Sequence, residues 1–101
     1  EIAQDTVMSE GTVDQKPEVV NRPAMDYPAA AVSDGIKGFV VVNLLITKEG
    51  RVELAKVLDA EPKGIFENAV MAGVKEWTFS PARYKGEPVK VWAKQRISFS
   101  S

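Results

Sequence analysis

The sequence predicts an α+β domain in which a short helix is followed by β-β-α-β, with three strands in one sheet, order 2-1-3, and both helices packed on one face. Three observations carry this. A β-branched run, Phe39 to Ile46, is followed by a turn and a second extended run, Arg51 to Leu58. Apolar residues then recur at three- and four-residue spacing from Phe66 to Trp77. Strict alternation returns from Pro88 to Phe99.

At 101 residues the chain has the size of one domain with one hydrophobic core. Residues 1–16 are polar, acidic and without periodicity, and are expected to be a flexible lead-in or linker. The ordered domain is expected over 17–101, beginning with an extended stretch imposed by Pro17 and Pro23.

A short helix is expected next. Pro28 suits its first position, Asp26 or Tyr27 its cap, Ala29, Ala30 and Ala31 its body, and Gly35 the left-handed residue after it. In the first strand Val40, Val42, Leu44 and Ile46 form one face, and Phe39, Val41, Asn43 and Leu45 the other. A strand apolar on both faces is central in its sheet or covered on both sides. Thr47-Lys-Glu-Gly50 is the turn into the second strand. Val52 and Val57 reach the same face only if a β-bulge near Leu54-Ala55 restores parity.

Pro62 marks the entry to a helix from about Lys63 to Thr78, whose stripe is Phe66, Ala69, Val70, Gly73, Val74 and Trp77. Gly73 is expected to allow close helix-to-sheet approach, and Phe79 to Glu87 reads as a loop. In the last strand Val89, Val91, Ala93, Ile97 and Phe99 share one face with Gln95, and Lys90, Trp92, Lys94, Arg96 and Ser98 share the other. The orders 2-1-3 and 1-2-3 both satisfy the connections; 2-1-3 is preferred because it centres the most apolar strand, and in both this last strand lies on a sheet edge. Its free N–H and C=O groups are a template for a partner segment, or a hazard guarded by charge.

The composition excludes several functions. With 45% hydrophobic and 27% charged residues the chain is an ordinary globular protein, and its net charge of −1 gives no global attraction to nucleic acid. It has neither Cys nor His, which removes thiolate chemistry, the usual zinc sites and the commonest general base. The carboxylates show no pairing pattern, so no enzyme, cofactor or metal is expected. Charge is nonetheless uneven. Glu1, Asp5, Glu10, Asp14 and Glu18 make the beginning acidic, and Arg83, Lys85, Lys90, Lys94 and Arg96 make the end basic. Lys90, Lys94 and Arg96 with Trp92 fit a guarded edge, a peptide-binding edge, or a stacking platform for single-stranded nucleic acid, in falling order for the last.

An ordered set of residues resembles the C-terminal domain of TonB-type energy transducers. It comprises Tyr27-Pro28, Ala31, Gly35, Gly38, Val40, Val42, Leu44 and Ile46, then Gly50, Val52, Val57, Phe66, Ala69 and Val74. It ends with Trp77-Thr-Phe79, Pro81-Ala82, Gly86, Pro88-Val89, Ile97 and Phe99. The family often carries Gln-Pro-x-Tyr-Pro where this chain has Ala24-Met25-Asp26-Tyr27-Pro28. The resemblance implies a periplasmic domain anchored to the inner membrane by a segment outside this chain and served by an ExbB–ExbD proton channel. Such a domain binds the TonB box of an outer-membrane transporter by strand addition and couples proton-motive force to uptake of iron-siderophore, haem or cobalamin-type substrates. The box would pair with Val89, Lys90, Val91, Trp92, Ala93, Lys94, Gln95, Arg96 and Ile97, with Tyr27 contributing. An edge-to-edge homodimer is a further expectation, no nucleic-acid partner is expected, and a TolA-like or sensor-type periplasmic module without energy transduction is the alternative.

Overall fold

The structure, a computed structural model, describes residues 7–23 and 27–99. Its elements are β1 (Val7–Ser9), β2 (Glu18–Asn21), α1 (Ala29–Asp34), β3 (Gly38–Ile46), β4 (Val52–Glu61), α2 (Glu67–Gly73) continued by a 3₁₀ turn (Val74–Glu76), β5 (Thr78–Ser80), β6 (Ala82–Tyr84) and β7 (Glu87–Phe99). The main sheet is five-stranded, in the order β1-β7-β3-β4 with β6 also paired to β7, and β2 and β5 form a separate two-stranded sheet. The sheet is therefore larger than the three strands expected from sequence.

The core lies on one side of that sheet. Val40, Val42, Leu44 and Ile46 of β3 are fully buried and meet Phe66, Val70 and Val74 of the helical segment, Ala31 of α1, and Val89, Val91 and Ala93 of β7. The opposite face of β3 is only partly buried at Phe39, Val41 and Asn43. Being apolar on both sides thus reflects a central position rather than cover on both faces. Two bulges adjust β4: Leu58 is skipped between the pairs Val41–Asp59 and Val42–Val57, and Glu53 between Leu45–Leu54 and Ile46–Val52. The second brings Val52 and Val57 to one face, a residue earlier than the bulge expected at Leu54-Ala55.

The long helix is shorter than its stripe. Phe66, Val70, Val74 and Trp77 are buried as the spacing predicts, but α-helix runs only from Glu67 to Gly73, and Gly73 marks the change to 3₁₀ geometry. Its entry is held by Glu67, whose two carboxylate oxygens accept from the Gly64 N–H at 3.0 and 2.8 Å. That hydrogen bond, followed by the N–H of Glu67 itself, lowers the Glu67 pKa below the ordinary carboxylate value.

Four other expectations change. Pro28 rather than Tyr27 is the residue preceding α1, and among the described residues no side chain caps the helix; the Asp26 expectation lies outside the described residues. The segment 79–87 is not an unstructured loop, because β5 pairs with β2 and β6 returns into β7 through Lys85-Gly86. Both residues of that connection have positive φ, 52° and 83°, as a type I′ hairpin requires. Part of the lead-in, residues 7–15, is seated on the domain rather than free; residues 1–6 lie outside the described residues. Finally, β7 is not unpaired along the whole of one side.

The outer edge of the last strand as a candidate docking site

Residues Val91 to Phe99 of β7 pair antiparallel with β3 without a register shift. In an antiparallel pair, alternate residues direct both N–H and C=O toward the partner, and those between direct both away. The Lys94 N–H donates to the Glu10 carboxylate at 3.1 Å, so it points away from β3. Arg96 and Ser98 share that parity and also present their backbone groups outward. Val91, Ala93, Gln95 and Ile97 face β3.

The outer edge is divided into two lengths. Over Lys90–Trp92 it is occupied by β1, which runs parallel to β7 in the register Val7–Lys90, Met8–Val91 and Ser9–Trp92. Among the described residues no strand pairs with it beyond Trp92, and Glu10 reaches only as far as Lys94. The remaining length, Ala93 to Phe99, carries no paired strand among the described residues, and its core-facing row ends at the buried Phe99. Of the residues expected to bind a partner, Lys94, Gln95, Arg96 and Ile97 lie along this length with Ala93 at its start. Val89 pairs with β6, and Lys90, Val91 and Trp92 lie against β1.

The side chains divide in a second way. Lys90 is paired with Glu53 at 3.1 Å, the Lys56 ammonium lies 5.2 Å from the Trp92 ring centre, and the Arg96 guanidinium lies 4.3 Å from that of Phe39. These are contacts on the uncovered sheet face, where exposure keeps each worth about 1 kcal/mol or less. Lys90 and Arg96 are therefore spaced by aromatic and acidic neighbours rather than forming a bare cationic track for nucleic acid. Tyr27 lies at the Phe99 end of this length rather than along it. Its hydroxyl donates to the Ile36 carbonyl at 2.5 Å, and its ring packs edge-on against Phe66 and Phe99, each at 5.7 Å. Met8, Glu10 and Asp14 are the residues at this site that the sequence did not single out. The available signals were Val7-Met8, an apolar pair within a polar stretch, and the acidic beginning set against the basic end of the chain.

Among the described residues no strand pairs with the outer side of β4 at the other end of the sheet, which exposes Leu54 at 50% and Leu58 at 49%. Its bulges at Glu53 and Leu58 break the even spacing of backbone groups that a continuous added strand requires. The straight, unbulged edge is the one on β7. Among the described residues no group of acidic side chains is arranged to hold a metal ion, and no helix is long and apolar enough to cross a membrane.

The family described as Gram-negative bacterial TonB protein, C-terminal, matches residues 23–101. The chain belongs to this TonB C-terminal family. It is 33% identical over 67 residues to protein TonB of Escherichia coli (strain K12), covering 66% of this chain and 28% of that protein. It is 33% identical over 86 residues to protein TonB of Pseudomonas aeruginosa, covering 85% of this chain and 25% of that one. The chain thus spans between a quarter and a third of the length of these TonB relatives. The solution structure of the Pseudomonas aeruginosa TonB C-terminal domain superposes with a TM-score of 0.70 at 28% identity, covering 84% of this chain and 86% of that one. The mixed α+β, sheet-dominated architecture is thus that of a TonB C-terminal domain.

Proposed function

We propose that this domain is the non-enzymatic, partner-capturing end of a TonB-type energy transducer, and that it takes up the TonB box of an outer-membrane transporter as an added strand on the outer edge of β7. The observation that carries this reading is the outward alternation of Lys94, Arg96 and Ser98 along an unbulged edge, in a chain of the TonB family. Strand addition needs such a row of outward-facing backbone groups and gains its specificity from pockets for alternate side chains. The domain would work in the periplasm. Attachment to the inner membrane and coupling to an ExbB–ExbD proton channel would fall to parts of the protein outside this chain, and the force so delivered would open a transporter to iron-siderophore, haem or cobalamin-type cargo.

Proline scanning tests the edge. Arg96→Pro removes an outward N–H while leaving the β3 ladder intact, and it is expected to weaken capture of a synthetic TonB-box peptide about tenfold, the scale of one or two lost hydrogen bonds. Arg96→Ala, which keeps the amide, separates this from loss of the side chain. Ala93→Pro instead removes a donor to β3 and is expected to lower the melting temperature. Equal peptide affinity for Arg96→Pro and the unsubstituted domain, measured by calorimetric titration, contradicts docking on this edge.

A further inference from the structure

The N-terminal segment already makes the contacts that an added strand would make. β1 lies parallel on the outer edge of β7. Met8 packs against the core, and the Glu10 carboxylate takes the Lys94 N–H, where the carbonyl of a longer strand would otherwise accept. The segment then folds back, with the Thr12 N–H donating to the Ser9 carbonyl at 3.0 Å. It is tied down beyond the turn, because the Asp14 carboxylate accepts from the Lys85 N–H at 2.5 Å and Gln15 exchanges two backbone hydrogen bonds with Arg83 at 3.1 and 3.0 Å.

Resting on the strand-addition reading above, we infer that residues 7–10 are a built-in occupant of the β7 edge, which a partner peptide must displace to engage the full length of the strand. Two physical features fit displacement rather than permanent pairing. The strand is only 3 residues long and its Val7 is 42% exposed, so it gains little from burial. The anchor at Asp14 and Gln15 keeps it beside the edge at an effective concentration of the order of millimolar, enough to compete with a weak ligand without excluding a stronger one. The occupant also outlines its competitor. The displacing segment runs parallel to β7, carries an apolar side chain in the place of Met8, and carries a carboxylate two residues later to meet Lys94.

The test uses the whole chain and a synthetic TonB-box peptide. In the unsubstituted protein, saturating peptide is expected to move the amide resonances of Val7 to Glu10 to unstructured positions and to abolish their exchange protection in step with binding. The double variant Met8→Asp/Glu10→Ala, with the occupant disfavoured, is expected to bind the same peptide about tenfold or more tightly, since apparent affinity scales with the fraction of competent edge. Peptide binding of equal strength in both proteins, with residues 7–10 still protected at saturation, overturns the built-in occupant and leaves strand addition standing. No binding to either protein overturns both. If circular dichroism shows the double variant unfolded, the exchange measurement on the unsubstituted chain decides alone.

Discussion

Phe66→Ala is expected to destabilise the domain by about 3–5 kcal/mol, the usual range for removing a buried phenylalanine ring. Phe66 is fully buried, stacks on Phe99 at 4.4 Å with the ring planes 12° apart, and receives the edge of Tyr27. The same ring closes the space beside Gly38, where a β-carbon would collide with both Phe66 and the Glu61 carbonyl. Removing it therefore loosens the entry of α2, the start of β3 and the last residue of β7 at once. Domains of this kind are stable by only about 5–15 kcal/mol, so urea midpoints should fall sharply. A loss under about 1 kcal/mol would show that the three-ring cluster does not join these elements.

Gly50→Ala is the second large effect. Gly50 has φ 82°, and a β-carbon there would overlap the carbonyl oxygen of Phe79, while the Phe79 N–H donates to the Gly50 carbonyl at 2.8 Å. Backbone strain alone costs about 1–3 kcal/mol, and the overlap pushes β5 off the β3–β4 turn. Gly86 supplies the control. It has nearly the same φ, 83°, with open space around its α-carbon, so Gly86→Ala is expected to carry the strain without the collision. Thermal melting of the two variants should rank Gly50→Ala well below Gly86→Ala. Equal melting temperatures would contradict the close seating of β5.

Elements long enough to display a period were legible before any coordinates. β3, β4, β7 and the buried stripe from Phe66 to Trp77 announced themselves through alternation or helical spacing, and Gly35 and Gly50 marked a helix end and a turn through their need for positive φ. The missed strands β1, β5 and β6 are 3 residues each, too short for alternation to stand above chance, whereas β2, of 4 residues, falls within the extended stretch expected between Pro17 and Pro23. The Lys85-Gly86 hairpin was the available clue to β6, since a lysine-glycine pair between extended residues permits a type I′ turn. The site was legible as an edge strand, but not which of its backbone groups face outward. Alternation distinguishes the two faces of β7, whereas the direction of each N–H depends on the register with β3, which enters only with the fold. Occupation of that edge by Val7–Ser9 is a tertiary contact of an acidic, aperiodic segment, and composition alone favoured a flexible tail.

Amide hydrogen exchange along β7 and β4, with and without saturating TonB-box peptide, addresses capture at the β7 edge most directly. The structure predicts new protection at Arg96 and Ser98, whose N–H groups face outward, while Ala93, Gln95 and Ile97, already bonded to β3, change little. Unaltered exchange at Arg96 and Ser98 together with new protection along Val52–Glu61, the edge at the far side of the sheet, would contradict it.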